Sequence, residues 1–437
     1  MPKVREVSVG LLGCGGVGAA LARLIHDEQQ AIEEAAGVRL RIGKTLVRDL
    51  AKDREGLNGR LDFTKELGDV LKQKKLDIVV ELLGGRDVAL QAIRRALSSG
   101  TSVVTANKVV LAGHGERLEA LAHAKGCALG YEASVASCIP VLQALDHTFA
   151  AERFYSITAI LNGTTNFILT RMAREGLDYE VALRLAQKRG LAEADPTADV
   201  SGSDAQCKLV VLARKAFGLS LRPSDVYTRG ITSLTADDLR FASSFGFTIK
   251  LLATARRYNG SVELRVEPNL VPERHPLATV SDEWNALMLA GDSVGSLFFA
   301  GPGAGPLPTA QAVLGDILSI ATGTRACVPG RRVLDLERPH IVPLGDTSGR
   351  YYLRVTFRDQ PHVLASVTRI LDTSGVEVHR VEAVGQDRAD IAILTHRSRR
   401  SSLETALKRL RKQTYLSEPP RAFPIYDPSD QTTGGSK

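Results

Sequence analysis

The 437-residue chain lacks any apolar run approaching the roughly 20 residues that cross a bilayer. Its opening residues, Met1 to Gly10, lead straight into a β-rich stretch without the apolar centre of a secretion signal. A cytoplasmic protein with no membrane partner is expected. Cysteine is scarce and scattered: Cys14, Cys127, Cys138, Cys207 and Cys327 are isolated, odd in number and without zinc-ligand spacing. That pattern excludes a disulfide framework and predicts small buried thiols in a reducing compartment. A basic surface interleaved with aromatics is also missing. The net charge of +7 is modest for this length, and the densest basic run, Arg397 to Arg400, has no aromatic neighbour. Nucleic acid is therefore no expected partner, whereas small anions suit the balance. The hydrophobic share of 44% and charged share of 24% are those of a globular chain, and the length calls for two or three domains.

Val7 to Leu12 reads as a strand, followed at once by Gly13-Cys14-Gly15-Gly16-Val17-Gly18 and then by helical periodicity from Ala19 to Gln30. Strand, G-x-G-x-x-G and helix in this order predict a dinucleotide site. The first glycine permits the tight turn, the second lets backbone approach a pyrophosphate, and the third lets helix pack on strand. A second strand, Leu40 to Val47, ends at Arg48-Asp49, with Lys52 and Arg54 beyond. The basic residues favour the 2′-phosphate of NADP, Asp49 leaves NAD open, and Arg48 as a plain turn residue is an equal alternative. Asp77 to Leu83 is a strand closed by Gly84-Gly85, with a helix over Asp87 to Ser98. Ser102 to Thr105 is the next strand and runs into Ala106-Asn107-Lys108. Gly84 and Lys108 thus fall at carboxyl ends of parallel strands, where open α/β sheets bind ligands.

Gly130 to Pro140 is a strand breaking into a Ser-rich turn; its Cys138 has no histidine nearby and reads as a buried thiol. A strand over Ser156 to Leu161 ends in Asn162-Gly163-Thr164-Thr165-Asn166, which suits either a polar ligand or a simple turn. Helices are expected over Phe167 to Glu175 and Tyr179 to Lys188. They lead into a polar loop, Ala186 to Lys208, that gathers Glu193, Asp195, Asp199, Asp204 and Lys208. Ser203 and Gln206 have capping-box spacing, and Asp204 and Lys208 lie four apart on one helix face. That pair is either an exposed ion pair or a carboxylate and amine aimed into a pocket. Ile249 to Tyr258 and Ser261 to Val266 around Asn259-Gly260 form a hairpin signal, followed by strands Asn285 to Leu289 and Ser296 to Phe299. The glycine loop Gly301 to Gly305, with Gly303 at its centre, precedes a helix over Thr309 to Thr322; it either closes over a cofactor or only connects strand to helix. After a Pro-, Gly- and Arg-rich linker, a β-α-β-β-α order from Tyr351 to Leu410 suggests a ferredoxin-like unit, a type that pairs sheets in oligomers.

These motifs together resemble homoserine dehydrogenase carrying a C-terminal ACT domain. The likeness runs from Val7 to Arg421 and rests on G-C-G-G-V-G, V-V-E-L-L-G-G, V-V-T-A-N-K, Y-E-A-S-V-A, L-N-G-T-T-N-F-I-L, the Ala186–Lys208 loop and G-P-G-A-G. The resemblance implies an α/β fold with a Rossmann-type dinucleotide-binding domain at 1–140, completed by part of 305–330. An α+β catalytic and dimerisation domain at 141–328 follows, then a linker at 329–349, a ferredoxin-like ACT domain at 350–425 and a disordered tail at 426–437. It implies NAD(P)-dependent interconversion of L-aspartate 4-semialdehyde and L-homoserine, on the way to threonine, methionine and isoleucine. The alternative is another NAD(P)-dependent, amino-acid-related oxidoreductase. By the same resemblance Lys208 is the acid/base lysine, helped by Asp204 and Lys108; Glu193 and Asp199 hold the substrate amino group and hydroxyl, beside Gly163 and Thr164. Gly13, Gly15, Gly16, Val17, Gly18, Arg48, Gly84, Lys108 and Gly303 would meet the cofactor. A monovalent cation, Na+ or K+, would sit on backbone carbonyls at Glu132, Val135, Ser137 and Ile139, although Ser137-Cys138 stand where the family has Gly-Gly. A homodimer or homotetramer is implied. The family's D-x-P-G-V-L here reads Asp359-Gln360-Pro361-His362-Val363-Leu364, and His362 in the glycine position would crowd an amino-acid effector such as threonine.

Overall fold

Six strands form a wholly parallel sheet, and those at its centre are apolar on both faces, which need cover on both sides. The six are β1 (Arg5–Leu12), β2 (Val38–Leu46), β3 (Asp62–Thr64), β4 (Ile78–Glu81), β5 (Ser102–Thr105) and β6 (Leu129–Gly130), in the spatial order 3-2-1-4-5-6. This is the doubly wound order, and it leaves a crevice at the carboxyl ends of β1 and β4, where the winding reverses. Helices Gly16–Asp27, Asp87–Ser98 and Lys108–Ala124 connect the strands. A much later helix, Pro306–Ala321, returns to the same layer: its Ala310, Val313, Leu314 and Ile317 share one core with Val7, Val9, Leu21 and Ile25.

The computed structural model describes residues 4–54, 56–258, 260–324, 336–358, 362–384 and 389–428. The chain divides into two compact units. The first comprises Met1–Arg153, Cys207–Pro223 and Phe299–Arg338; the second comprises Phe154–Gln206, Ser224–Phe298 and Pro339–Lys437. Asn259, Cys327, the start of the expected linker through residue 335, the Asp359-Gln360-Pro361 triplet and the tail from residue 429 lie outside the described residues. Cys14 and Cys127 are buried thiols outside any disulfide, whereas Cys138 and Cys207, likewise outside any disulfide, are only half buried. That corrects the burial expected of the latter two: one sits in a loop and the other near the start of a helix. Among the described residues no helix is long and apolar enough to cross a membrane.

The second unit is built on one mixed sheet. Its strands are β7 (Phe154–Ile160), β8 (Tyr227–Thr228), β9 (Phe247–Tyr258), β10 (Ser261–Pro272), β11 (Trp284–Gly291), β12 (Gly295–Pro302), β13 (His340–Ile341), β14 (Ser348–Phe357), β15 (Val378–Val384), β16 (Ala389–Thr395), β17 (Ser398–Arg399) and β18 (Arg421–Ile425). The main path runs 12-11-7-9-10-18-14-16-15, with β8 and β13 paired to β10 and β17 to β14. The expected β9–β10 hairpin is present, with Tyr258 opposite Ser261, but β10 continues to Pro272 rather than stopping at Val266. Its Glu267 breaks the apolar pattern, yet it is buried against arginines, which keeps the strand going. From β14 to β18, with the two-residue β17 set aside, the order is β-α-β-β-α-β, a ferredoxin-like unit whose last strand the sequence did not reveal. Pro424 disguises it. β18 pairs antiparallel with β14 and, through Leu270 opposite Ile425, parallel with β10, so the sheet is continuous across the unit.

Asp238 secures this junction. It completes a capping box with Thr235 on the helix Ala236–Ser244. Its two carboxylate oxygens then face Arg354 of β14 at 3.1 Å and Arg421 of β18 at 3.0 Å. Removing one member of a buried ion cluster leaves the others uncompensated. Asp238→Ala is therefore expected to lower stability by about 3 kcal/mol in urea unfolding of the full chain. A loss below about 1 kcal/mol would refute a structural role for this cluster.

Candidate active site

The glycine turn after β1 tolerates little else. Gly13 has φ +101, and a Cβ there would lie 2.5 Å from the Leu82 carbonyl oxygen. A Cβ on Gly18 would lie 2.1 Å from the Gly13 carbonyl oxygen, so the helix comes hard against the turn. Gly15 is different: it is exposed, and nothing lies within 4 Å of its missing Cβ. It precedes a helix with no side-chain cap and no acid in its first turn. The open face over Gly15 and the uncapped amides behind it fit a pyrophosphate. Val17 is half buried against the domain core. A Cβ on Gly16 would lie 3.4 Å from Pro306 Cγ, which brings the end of the second glycine loop, with its buried Gly303, to the first.

Beyond β2, Arg48 and Asp49 are both exposed, and the Asp49 carboxylate accepts from the Ala51 amide. Arg54 corrects the sequence expectation. Its guanidinium is buried, donates to the carbonyls of Cys14, Asp49 and Lys52, and lies over the Phe63 ring. It ties the β2 loop to the glycine turn, so its donors are not turned to a ribose phosphate.

At the ends of β4 and β5 a buried acid organises the loops. Glu81 accepts from the Leu83 amide at 2.8 Å and from Thr105 Oγ1 at 2.6 Å. Burial pushes its pKa up, and these hydrogen bonds oppose the shift. Thr105 Oγ1 accepts in turn from the Asn107 amide. Asn107 donates to the Gly85 carbonyl and caps the helix that begins at Lys108. Gly84 and Gly85, at φ 71 and 70, are exposed beside this network. Lys108 is half buried at the first position of its helix.

Lys208 is half buried in the helix Ser203–Phe217. Farther along that helix the buried Arg214 donates to the carbonyls of Leu111 and Ala112, in the first turns of the Lys108 helix, and to that of Leu221. Thus one guanidinium docks the helix bearing Lys208 on the helix bearing Lys108. Sequence reading missed Arg214, which looks like any cation near a helix C-terminus.

In the turn after β6, Ala136 and Ser137 both adopt left-handed backbone, at φ 55 and 56. The tight turn survives without glycine, at a cost of about 1 kcal/mol per residue. Ser137 Oγ pairs with Thr309 Oγ1. Val135 and Ile139 are buried. The Glu132 carboxylate accepts from the Leu142 and Gln143 amides and caps the helix Val141–Asp146, which leaves backbone carbonyls as the donors this turn can offer a cation.

The acidic loop of the second unit closes on Asn162. This residue is 5% exposed, and its amide donates to Asp199 Oδ1 at 2.7 Å and Asp204 Oδ2 at 2.9 Å. Its carbonyl oxygen caps the helix Gly163–Glu175 through the Thr165 amide. Asn162 was legible only as part of a strand-end turn; an Asn at a helix start was the available signal. Thr164 Oγ1 donates to the Leu191 carbonyl, and a Cβ on Gly163 would lie 2.5 Å from the Glu283 carbonyl oxygen. Within its own turn Asp195 is lowered in pKa first by hydrogen bonding from the Thr197 side chain and then by the Thr197 backbone amide. Glu193 is exposed and makes none of the hydrogen bonds of this cluster. The expected capping box is one residue out of register. The helix starts at Ser203 itself, whose hydroxyl donates to the Ala198 carbonyl, and Gln206 Nε2 donates to that of Val226. Asp204 is buried in the first turn, where the helix dipole favours a carboxylate, and Lys208 follows four residues on.

Comparison with known proteins matches residues 140–318 to the homoserine dehydrogenase family, 13–132 to the homoserine dehydrogenase NAD-binding domain and 351–414 to the ACT domain. A homoserine dehydrogenase of Bacillus subtilis is 36% identical over 420 residues, covering 95% of this chain and 97% of that one. A crystal structure of a homoserine dehydrogenase from Thiobacillus denitrificans superposes with a TM-score of 0.91 at 36% identity, covering 97% of this chain and 99% of its own. A hyperthermophilic archaeal homoserine dehydrogenase in complex with NADPH matches 72% of this chain and 98% of its own, with a TM-score of 0.62 and 26% identity. The doubly wound sheet with its glycine turn, the mixed sheet and the ferredoxin-like end are therefore those of a relative matched nearly end to end, and the chain belongs to the homoserine dehydrogenase family of NAD(P)-dependent oxidoreductases.

Proposed function

We propose that this chain interconverts L-aspartate 4-semialdehyde and L-homoserine with Lys208 as the acid/base group, Asp204 orienting it and Lys108 assisting. The carrying observation is the Asn162 amide, which holds Asp199 and Asp204 together on a backbone that continues into the Lys208 helix. The bound dinucleotide supplies or accepts the hydride at the carbonyl carbon. This chain's residues hold the substrate and handle one proton at its oxygen. Lys208 protonates the oxygen as negative charge develops on it, and removes that proton in the reverse direction. Asp199 and Glu193 hold the substrate ammonium and hydroxyl as charge-assisted partners, with Glu193 brought in from its exposed loop. Gly163 and Thr164 shape the pocket wall through their contacts with Glu283 and Leu191.

NADP is the proposed cofactor. It is supported by the exposed Arg48 after β2 and by the NADPH complex of the archaeal relative; Arg54 plays no part. Na+ or K+ is proposed on the carbonyls of Glu132, Val135, Ser137 and Ile139, supported by the paired left-handed residues of that turn. A cytoplasmic homodimer or homotetramer is proposed. The reduced thiols of Cys14, Cys127, Cys138 and Cys207 support the compartment, and β12 at the sheet edge, with Phe298 43% exposed, supports association. His362, exposed at φ 68, keeps a glycine-like backbone before its helix but places a side chain there, so we propose no response to threonine.

Lys208→Ala is expected to lower kcat by about 10²-fold or more while KM for NADP stays within about threefold. Normal turnover in that variant removes the assigned role. Asn162→Ala should cut kcat/KM for homoserine about tenfold or more and leave dinucleotide affinity intact, as read by fluorescence titration. Equal losses in both would point to misfolding. With Arg48→Ala, KM for NADP should rise about tenfold and KM for NAD should hardly move; parallel changes would remove the NADP assignment.

A further inference from the structure

A cleft of about 970 Å³ opens in the second unit between the helix Arg400–Leu410 and the segment from Tyr227 to Thr235. Five cationic side chains line it: Arg229, Arg400, Arg421, Lys408 and Arg411. Asp178, Glu180 and Glu404 answer them along the same walls, all three exposed, and the buried Asp238 holds Arg421 from behind at 3.0 Å, which leaves Arg229, Arg400, Lys408 and Arg411 as the cations turned to the cleft. The imbalance deepens behind the floor. Glu267, 1% exposed, is faced by Arg400 Nη1 at 3.3 Å, Arg265 Nη1 at 3.4 Å and Arg229 Nη2 at 4.0 Å. Glu263, 2.6 Å from Arg265, raises the buried carboxylates to two against three guanidiniums. Glu404 meets Arg400 Nε at 3.4 Å but is half exposed, so that contact is screened. Arg229 makes its hydrogen bonds to a neutral group, the Ala422 carbonyl, and its buried Nε has no acceptor among the described residues. A guanidinium surplus facing a cleft of ligand size is a built demand for an anion.

We infer that this cleft binds a small dianion, a phosphate ester or a dicarboxylate, with its charged group between Arg229 and Arg400 and its remainder toward Lys408 and Arg411. The site joins two stretches matched to different families, the helix from the ACT segment and the loop from the homoserine dehydrogenase segment. It also has a mechanical connection. Arg229 lies on a backbone pressed against Val200–Gly202: the Ile231 amide donates to the Val200 carbonyl, and a Cβ on Gly230 would lie 1.9 Å from that oxygen. Thr228 Cγ2 stands 3.1 Å from the missing Cβ of Gly202. Residues 200–202 are the stretch between Asp199 and Asp204. A ligand that draws Arg229 toward itself therefore acts on the spacing of those two carboxylates and alters KM for homoserine, not for the dinucleotide. This kinetic consequence rests on the roles proposed for Asp199 and Asp204, whereas binding itself does not.

The test is calorimetric titration of the full chain, saturated with NADP so that the glycine turn is filled, with sodium phosphate and separately with disodium succinate. Ionic strength is held constant with sodium chloride. Saturable binding of one anion with one site per chain is expected; phosphate alone identifies a phosphate ester and succinate alone a dicarboxylate. Affinity should fall about tenfold or more in Arg229→Gln and in the double variant Lys408→Ala, Arg411→Ala, whose exposed positions leave folding untouched. Arg94→Ala, in the first unit, should bind as the parent does. No binding above the chloride control, or unchanged affinity in both cleft variants, overturns the site. Binding without any change in KM for homoserine overturns the connection to Asp199 and Asp204.

Discussion

Two carboxylates that share one donor must be held where that donor can reach both, and here one side-chain amide does so. Asn162 reaches from the end of β7 and donates to both Asp199 and Asp204. The same residue caps the helix that follows it, so its position is set by backbone geometry and not by the acids it serves. That makes the acid pair a fixed part of the second unit. The Lys208 helix grows directly out of this arrangement, and its later turns are anchored by Arg214 to the helix that starts at Lys108.

The first unit uses the same device at the mouth of its sheet. Loops at the carboxyl ends of parallel strands carry polar backbone that must be satisfied near a ligand. Glu81 and Thr105 satisfy it for β4 and β5, Arg54 does so for β2, and the glycine turn solves it for β1 by close packing on Leu82. The result is a crevice whose walls are braced from behind, with the face over Gly15 left open for phosphate. A buried acid and a buried arginine thereby hold the loops around the crevice from behind.

The C-terminal end of the chain is attached by backbone pairing and by buried charge together. β18 lies between β10 and β14, and at the same seam two acids, Asp238 and Glu418, meet two guanidiniums, Arg354 and Arg421. Charge is less evenly matched around Glu267, where three guanidiniums gather. Both seams border one cleft, through Arg421 in the first and through Arg229 and Arg400 in the second.

What sequence alone determined was local. The strand–glycine–helix order, the helix over Asp87–Ser98, the strand Ser102–Thr105 and the β9–β10 hairpin follow from dihedral preference and apolar period, which neighbouring residues set between them. The homoserine dehydrogenase resemblance was legible for the same reason, since its motifs are contiguous. What only the tertiary structure decided was the use of polar side chains. Arg54 meets a carbonyl 40 residues away, Asn162 an acid 42 away, Arg214 a helix 103 away and Arg400 a carboxylate 133 away. A charged residue in a sequence looks the same whether it faces water, a ligand or a distant carbonyl. Burial and partner distinguish these cases, and both exist only once the strands have come together.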